Sequence, residues 1–530
     1  MSASREKKIR QELAAQGIPD IKEIRAAEAR AQQRRSNILY GCIATAFVLV
    51  AAILLIWNSN IIQRNSTAIS VDGVKYSASE VSYFYNSAFN NAANSDYASY
   101  MSLSTSTPLT QQVMTDFDLL IMGITLPEGK ESMTWHEYFM DSAKASLISQ
   151  TAILKAAKEE GFQFTDEMKE EVQATMDTIA LYAKASGIST TAYIKGMFGN
   201  GMTAKAFESL LHNAVLVAHF QEAHWDELTY SKDQLEAYYN ENKNTFDSSH
   251  YEYIYFKTTA PSTTDADGNT VAATDDENAA AKAKAETAAK DALSRYQAGE
   301  SLADIAKDYE DIATYYEQTN GSYSTSTIQE WVYADGRVPG DKALLENTSA
   351  YYVAGFYSRS RSDYLPVNVR HILVKVDTSS LDTNSKTYDE IRQVMIDTAK
   401  LDAESILTEW KAGAMTAESF AELANKYSAD SGSNTNGGLY TDVAKGEMVD
   451  EFDAWCFDES RKVGDTGIIF VDMDGYYTGY HVMYLDGWSE TPYWQLQVDN
   501  AMRTNDYNAW YSSVNSDLTA EEHSGIKYVG

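Results

Sequence analysis

The sequence predicts an α+β multidomain protein with a single N-terminal transmembrane helix. The chain has 530 residues, which is more than one hydrophobic core supports. Its hydrophobic content of 44% is that of a folded chain rather than a disordered one. An uncharged apolar stretch lies near the N-terminus, and an order of strand, long helix and short helix recurs in the second half. We therefore expect an anchor followed by several domains.

The charge balance limits the classes of partner. The chain carries 43 Lys and Arg against 76 Asp and Glu, a formal net charge of -33. Phosphate recognition requires cationic surfaces, so nucleic acid is excluded as a predicted partner. The two cysteines, Cys42 and Cys456, are too few for a disulfide scaffold or a Cys-rich zinc site.

Residues Ile38–Trp57 form the predicted membrane anchor. They are twenty positions without a charge, the length that a helix needs to cross the hydrocarbon core. Arg34 and Arg35 precede this stretch, and the nearest cation after it is Arg64. The positive-inside rule therefore places residues 1–37 in the cytoplasm and the remainder outside. The polar residues after Trp57 lack a small-residue cleavage site, so we expect the anchor to be retained.

A helical module is predicted after the anchor. Alternating residues from Ile69 to Tyr76 surround an Asp-Gly pair, which indicates a β-hairpin. Helical periodicity then continues to about residue 244. One helix is predicted between Thr134, a suitable N-cap, and Gly161, a suitable stop.

An internal repeat follows this module. Both copies read as a strand, a long helix and a short helix, and their first strands are offset by 118 positions, as Tyr253 and His371 show. The segments are Tyr253–Thr258, Thr287–Gly299 and Leu302–Tyr309 in the first copy, and His371–Val376, Thr398–Gly413 and Phe420–Tyr427 in the second. Strands interspersed with helices indicate two related α+β domains.

The second copy resembles the parvulin family of peptidyl-prolyl isomerases. Four blocks in order carry the resemblance: VRHILVKV (Val369–Val376), FAELANKYSADSGSNTNGG (Phe420–Gly438), KGEMVDEF (Lys445–Phe452) and GYHVMYL (Gly479–Leu485). The wider arrangement is similar to that of SurA-type and PrsA-type secretion foldases, and the uncleaved anchor is similar to that of PpiD.

The resemblance implies a domain organisation. It comprises a cytoplasmic tail (1–37), the anchor (38–57), a SurA-like helical chaperone module (66–247) that residues 488–530 return to complete, a degenerate parvulin-like domain (248–365) and a parvulin-like isomerase domain (366–487). The analogy also pairs Ile526–Val529, as a strand, with the hairpin at 69–76.

The resemblance also implies the site residues. The catalytic positions of the family match His371, Asp430, Thr478 and His481, and its proline-binding positions match Met448, Phe452 and Tyr440. Tyr440 departs from the pattern, since a leucine is usual there. The family implies neither a metal nor a cofactor.

These residue types suit rotation about an X-Pro bond. The amide barrier of about 18–20 kcal/mol comes from C–N double-bond character, and no covalent bond need break. A dry apolar slot can hold the proline ring while a buried polar network sets the field around the carbonyl. We assign Asp430 an electrostatic role and the histidines an orienting role.

Two other chemistries compete for the same residues. His371, His481 and Asp430 also make the ligand set of a 2-His-1-carboxylate metal site. The apolar strands around both histidines favour a buried hydrogen-bonded pair instead. Cys456 beside a histidine could serve as a nucleophile, but its aromatic neighbours favour a core thiol.

The first copy of the repeat has Tyr253 where the histidine belongs, and no second histidine follows. We therefore expect it to be catalytically inactive, with a structural or peptide-binding role. Its many tyrosines fit either ordinary packing or a groove for extended chains.

The sequence thus predicts a membrane-anchored, extracytoplasmic peptidyl-prolyl isomerase and chaperone. Its partners would be unfolded or newly translocated proteins with X-Pro bonds, the membrane through Ile38–Trp57, and the secretion machinery. The alternative is a non-catalytic holdase or scaffold whose parvulin-like domains only bind peptide.

Overall fold

The computed structural model of the chain describes residues 45–48, 59–264, 270–379, 381–383, 385–473 and 476–530. The predicted cytoplasmic tail lies outside these residues. Of the predicted anchor only residues 45–48 are described, and they are helical. No helix among the described residues is both long enough and apolar enough to span a membrane.

The helices and strands follow one another along the chain in four stretches. The first contains α1 (Ile61–Asn65), β1 (Thr67–Val71), β2 (Val74–Ser77), α2 (Ala78–Ala93), α3 (Asp116–Ile121), α4 (Trp135–Glu160), α5 (Asp166–Ala185), α6 (Thr190–Phe198), α7 (Ala204–Glu227), α8 (Lys232–Glu241) and α9 (Lys243–Phe246). The second contains β3 (Asp247–Lys257), β4 (Thr263–Thr264), β5 (Thr270–Val271), α10 (Asp275–Gln297), α11 (Leu302–Lys307), β6 (Ala313–Gly321), α12 (Thr327–Val332), β7 (Lys342–Glu346) and β8 (Ala350–Arg361). The third contains β9 (Val367–Val376), α13 (Tyr388–Ala412), α14 (Ala417–Tyr427), β10 (Leu439–Val443), α15 (Asp450–Cys456), β11 (Thr466–Met473) and β12 (Tyr477–Trp488), and the last contains α16 (Tyr493–Asn515) and β13 (Ala520–Glu522).

The chain forms two compact units. One contains the residues up to Leu228 together with Asp506–Gly530, and the other contains Thr229–Asn505. The α+β multidomain class is thereby confirmed.

The first unit is built mainly of helices around a small sheet. In α4, Thr134 caps the first turn and its partner Glu137 completes a capping box, while Gly161 ends the helix in the left-handed conformation. One face of α4 buries Trp135, Phe139 and Leu147 in the core of the unit. Burial of each such side chain contributes about 1.5–3 kcal/mol, so this face holds the helix in place.

The sheet of the first unit joins the two ends of its chain. Strands β1 and β2 form the predicted hairpin, and Asp72 and Gly73 both have positive φ at its turn. The third strand is β13, which pairs antiparallel with β1. The prediction of a strand at Ile526–Val529 was wrong, because Ser524–Tyr528 form a 3₁₀ turn and the pairing residues lie a few positions earlier.

The second unit contains two four-stranded antiparallel sheets with the same strand order. One is β6-β3-β8-β7 and the other is β10-β9-β12-β11. Each follows the element order strand, two helices, strand, helix, and two strands; the short β4-β5 ribbon is added in the first. The repeat read from the sequence therefore corresponds to one topology used twice.

The two faces of the β9-β12 sheet bury different side chains. On one face Ile372 and Val482 pack against Phe420 of α14 and the inner side of α13. On the other face Val369 packs against Phe452 of α15. Because side chains alternate along a strand, each residue of β9 and β12 is committed to one of these layers.

Replacement of Gly525 by alanine should destabilise the first unit. A Cβ at this position would lie 2.3 Å from the carbonyl oxygen of Thr67, so the turn after β13 would have to move away from β1. We expect Gly525→Ala to lower the free energy of unfolding of this unit by about 1–3 kcal/mol in urea titrations. Gly196→Ala is the control, since a Cβ there meets nothing within 4 Å. Equal stability of the two variants would contradict the close packing of the C-terminal return.

Candidate active site

The strand register brings two of the predicted residues together. His371 of β9 pairs with Met483 of β12, and His481 pairs with Leu373, so the histidines are diagonal neighbours on one face. Their Nδ1 atoms lie 2.8 Å apart and their rings are stacked with centroids 5.0 Å apart. Each histidine is only 4% exposed. The pair is therefore a buried hydrogen bond between two imidazoles.

Asp430 accepts a hydrogen bond from one end of the histidine pair. It lies on the loop that follows α14, and its Oδ2 accepts hydrogen bonds from Nε2 of His371 at 2.9 Å and from the hydroxyl of Tyr440 at 2.9 Å. The hydroxyl of Ser433 also donates to Oδ2, and the backbone N–H of Gly432 donates to Oδ1. The bond from His371 and the hydroxyl donors hold the pKa of Asp430 well below its usual range. The carboxylate is thus anionic in the folded protein.

The loop that carries Asp430 is held close to β9 by two glycines and an arginine. The N–H of His371 donates to the carbonyl of Gly438 at 2.9 Å, and a Cβ on Gly438 would lie 2.3 Å from the carbonyl of His371. Gly437 and Gly438 both have positive φ. Arg370 donates to the carbonyl of Gly437 at 3.1 Å and to Asp486 at 3.0 Å. The paired glycines therefore permit the close approach that places Asp430 against His371.

Thr478 is not part of the hydrogen-bond network of His371, His481 and Asp430. It lies on the opposite face of β12 from His481, where its hydroxyl donates to Asp472 at 2.7 Å and accepts from Arg392 at 3.0 Å. The assignment of Thr478 to the histidine network was wrong because residues three apart on a strand point to opposite faces.

Tyr477 supplies the hydroxyl instead. Its OH lies 3.1 Å from Nε2 of His481, and burial raises the pKa of its phenol. It also lines a cavity of about 400 Å³ together with Lys375 and Arg392. The sequence signal was present, since Tyr477 is four residues before His481 on the same strand face. Ser433 had no such signal, because it is one of several serines in its loop.

The hydrogen bonds form a directed chain. Burial, followed by the neighbouring His371, lowers the pKa of His481 to about 3, so this imidazole is neutral and has one donor and one acceptor nitrogen. With the anionic Asp430 as the final acceptor and His481 neutral, we assign the protons so that Tyr477 donates to His481, His481 to His371 and His371 to Asp430. The chain ends in one fixed negative charge.

The predicted proline-binding residues lie against the same imidazoles. The Phe452 ring meets His371 and His481 edge-on at centroid distances of 5.6 and 5.7 Å. Tyr440 lies 5.4 Å from the ring of His371. Met448 and Tyr440 are half-buried at the border of the apolar cluster that contains Phe452. An apolar wall thus lies beside the polar chain, and Tyr440 belongs to both.

The two competing chemistries find little support in the geometry. The ring nitrogens of His371 are directed at His481 and Asp430, and among the described residues no group of three or more His, Cys, Asp or Glu is arranged to hold a metal ion. Cys456 is buried, and burial raises the pKa of its thiol to about 12. A thiol with that pKa supplies almost no thiolate at neutral pH, which excludes it as a nucleophile.

Comparison with known proteins identifies part of the chain. Residues 357–483 match the family model described as a PPIC-type PPIASE domain. Foldase protein PrsA 1 of Listeria innocua is 33% identical over 115 residues, which are 21% of this chain and 36% of that protein. The protein of the same name from Listeria monocytogenes is 32% identical over the same shares. The predicted resemblance to parvulin-type foldases is confirmed in this region, although the chain spans only about a third of the length of these relatives.

Solved structures with detectable similarity also include foldases. The foldase protein PrsA from Streptococcus pneumoniae shares 14% identity, with 74% of this chain and 90% of that chain covered and a TM-score of 0.22. The peptidylprolyl isomerase PrsA from Bacillus anthracis shares 23% identity over 29% of this chain and 58% of that chain, with a TM-score of 0.17. At these TM-scores the superpositions support no structural conclusion.

The buried network should make the second unit less stable in acid. The unfolded chain protonates His481 near its ordinary pKa of 6.5, whereas the folded chain does so only near 3, so stability falls as the pH decreases through this window. Each pKa unit corresponds to about 1.4 kcal/mol, so the loss amounts to a few kcal/mol. Asp430 acts in the same direction, because its folded pKa is lowered and its contribution disappears as the pH falls below the ordinary value of 3.8.

Urea unfolding at several pH values between 7 and 4 measures this loss. His481→Asn should make the free energy of unfolding depend less steeply on pH. NMR titration of the His481 ring provides the direct check. Titration of the His481 resonance near pH 6.5 would contradict the assignment of an uncharged imidazole at this position.

Proposed function

We propose that this chain, whose residues 357–483 match the model of a PPIC-type PPIASE domain, catalyses cis-trans isomerisation of X-Pro bonds in unfolded secreted proteins. The observation that carries the proposal is the hydrogen-bonded chain from Tyr477 through His481 and His371 to Asp430 beside the ring of Phe452. In this proposal Met448, Phe452 and Tyr440 contact the proline ring.

The reaction requires stabilisation of a twisted amide and no covalent step. The barrier of about 18–20 kcal/mol reflects C–N double-bond character. Twisting the bond removes the negative charge that resonance places on the carbonyl oxygen and returns the lone pair to nitrogen. A fixed anion near the carbonyl is therefore less unfavourable for the twisted amide than for the planar one. Asp430 supplies such an anion, and its cost of reorganisation is small because four donors already hold it.

The two imidazoles act in this proposal as positioning groups. The lowered pKa keeps His481 uncharged near neutral pH, which suits a reaction without proton transfer. His371 holds Asp430 in place through Nε2, and His481 holds His371 through Nδ1. Tyr477 fixes the tautomer of His481 by donating to Nε2.

Substitution of residues in the hydrogen-bonded chain should lower the isomerase rate. Loss of a hydrogen bond to a charged group costs about 1.5–3 kcal/mol, so Asp430→Ala and His371→Ala should decrease kcat/KM roughly tenfold to a hundredfold. Tyr477→Phe removes a neutral bond and should decrease it about two- to tenfold. The measurement is a peptide assay of prolyl isomerisation together with a refolding assay on a proline-limited protein.

Thr478→Val is the matched control for Tyr477→Phe, because it removes a hydroxyl on the adjacent residue that points away from His481. Its kcat/KM should remain close to that of the unaltered chain. If the unaltered chain accelerates neither assay while still preventing aggregation of an unfolded client, the protein is a holdase and the isomerase proposal fails.

We also propose that Ile38–Trp57 anchors the protein in the membrane, with residues 1–37 in the cytoplasm and the folded units outside, near the secretion machinery. The uncharged stretch of twenty residues and the arginines that precede it support this topology. Newly translocated chains would then emerge close to the isomerase domain.

Labelling of introduced cysteines tests the topology. In a chain with Cys42→Ala, whose remaining native Cys456 is buried, a membrane-impermeant maleimide applied to intact cells should modify Tyr476→Cys, since Tyr476 is 82% exposed. It should modify Ser4→Cys only after the membrane is permeabilised. Labelling of Ser4→Cys in intact cells would overturn the orientation.

A further inference from the structure

The first sheet of the second unit places tyrosines where the other sheet places histidines. Tyr253 of β3 pairs with Ala354 of β8, as His371 pairs with Met483. Tyr352 pairs with Tyr255, as His481 pairs with Leu373. The two sheets share strand order and register, so Tyr253 and Tyr352 occupy the strand positions of the imidazole pair.

Four tyrosines on this face contact one another, and we refer to Tyr253, Tyr255, Tyr316 and Tyr352 as the tyrosine cluster. Tyr316 lies directly across from Tyr253, and their rings are stacked at 5.0 Å with an interplanar angle of 21°. The ring of Tyr352 lies 6.0 Å from that of Tyr253 and 5.6 Å from that of Tyr255. In the other sheet the residue beside His371 on the neighbouring strand side is Gly438, which has no side chain.

The tyrosine cluster is accessible to solvent. Tyr316 is 45% exposed, and the other three rings are half-buried. Among the described residues, the one hydrogen bond to a hydroxyl of the cluster is from Asn347 to Tyr352 at 3.1 Å. No histidine or carboxylate of the described residues is bonded to these hydroxyls, in contrast to the hydrogen bonds that end at Asp430. The face offers ring surface without a fixed charge.

We propose that the tyrosine cluster binds proline-containing segments of unfolded polypeptide and does not isomerise them. It would be a second client site on the same chain. The inference rests on the proposed function for the class of client, but binding here requires no isomerase activity.

The chemistry of the rings favours proline as the side chain that is bound. Extended proline-containing segments lose little conformational entropy on binding, and they dock into grooves lined by aromatic rings. Tyrosine supplies a flat apolar surface together with a polar hydroxyl at its wet edge. The cluster also occupies the strand positions at which the other domain is proposed to present its imidazoles to an X-Pro bond. What is missing is a group that favours the twisted amide, so a proline bound here would keep its isomer.

Photo-crosslinking of the full chain tests the proposal. The probe is an unstructured peptide with two prolines and a benzoylphenylalanine between them, and the comparison peptide has alanine at both proline positions. Crosslinked fragments are assigned by mass spectrometry to residues 247–361 or 366–487. The proline peptide should label residues 247–361 more strongly than the alanine peptide does.

Variants connect that labelling to the cluster. Loss of one aromatic contact of about 0.5–1.5 kcal/mol predicts that Tyr316→Ser reduces labelling of residues 247–361 roughly three- to tenfold. Tyr316→Trp should retain it. Tyr323→Ser is the control, because Tyr323 is 38% exposed in the same domain and its ring packs on Tyr333 outside the cluster. The isomerase rate should be the same in all three variants as in the unaltered chain.

Three results would overturn the proposal: labelling confined to residues 366–487, equal labelling by the alanine peptide, or equal loss in the Tyr323 variant. None of these results depends on catalysis. Failure of the proposed isomerase function would instead appear as a lack of rate acceleration by the unaltered chain.

Discussion

The hydrogen bond between Nδ1 of His371 and Nδ1 of His481 is the constraint on which the arrangement of the site depends. Two imidazoles can meet at 2.8 Å only if one is a donor and the other an acceptor, which requires neutral rings or a single shared charge. Burial at 4% exposure disfavours the charge, and the anion at Asp430 sets the direction of the protons. With Asp430 as the acceptor at one end, the tautomer of each ring and the need for a donor at Tyr477 follow from that contact. The strand register that makes the histidines diagonal neighbours is therefore a requirement of the chemistry as well as of the fold.

Local signals in the sequence predicted much of the fold. The helix between Thr134 and Gly161 follows from a capping residue and a left-handed glycine, and the Asp-Gly turn of the first hairpin follows from two positive φ values. The third strand of that small sheet comes from residues more than 440 positions later along the chain, at Ala520–Glu522. Its position depends on the packing of a distant segment rather than on a local pattern, and the expected strand at Ile526–Val529 was therefore misplaced.

The site shows the same division between local and tertiary information. The motif around His371 and His481 indicated both histidines, and the structure brings them together with Asp430. The hydroxyl beside His481 was assigned to Thr478, whereas the adjacent Tyr477 supplies it. The spacing of a motif does not indicate on which face of a strand a side chain lies, but the two-residue period of a strand does. Thr478 consequently lies with Arg392 and Asp472 on the helix-covered face. Tyr440 was expected only as a wall of the proline pocket, and its hydrogen bond to Asp430 became visible only once the loop was folded against β9.

Comparison of the two sheets separates what the topology supplies from what the side chains supply. Both sheets present a diagonal pair of rings at the same register positions, so the placement of two adjacent flat groups is a property of the fold. In one sheet the pair consists of imidazoles joined to a carboxylate that four donors hold, which gives a fixed charge beside two buried rings. In the other it consists of Tyr253 and Tyr352, which give contact area and no charge. A twisted amide differs from a planar one in geometry and in charge distribution, whereas the proline ring is the same in both, so rings that contact only the proline side chain bind both states almost equally. The carboxylate, rather than the ring pair, is therefore the element that would convert a peptide-binding face into a catalytic one.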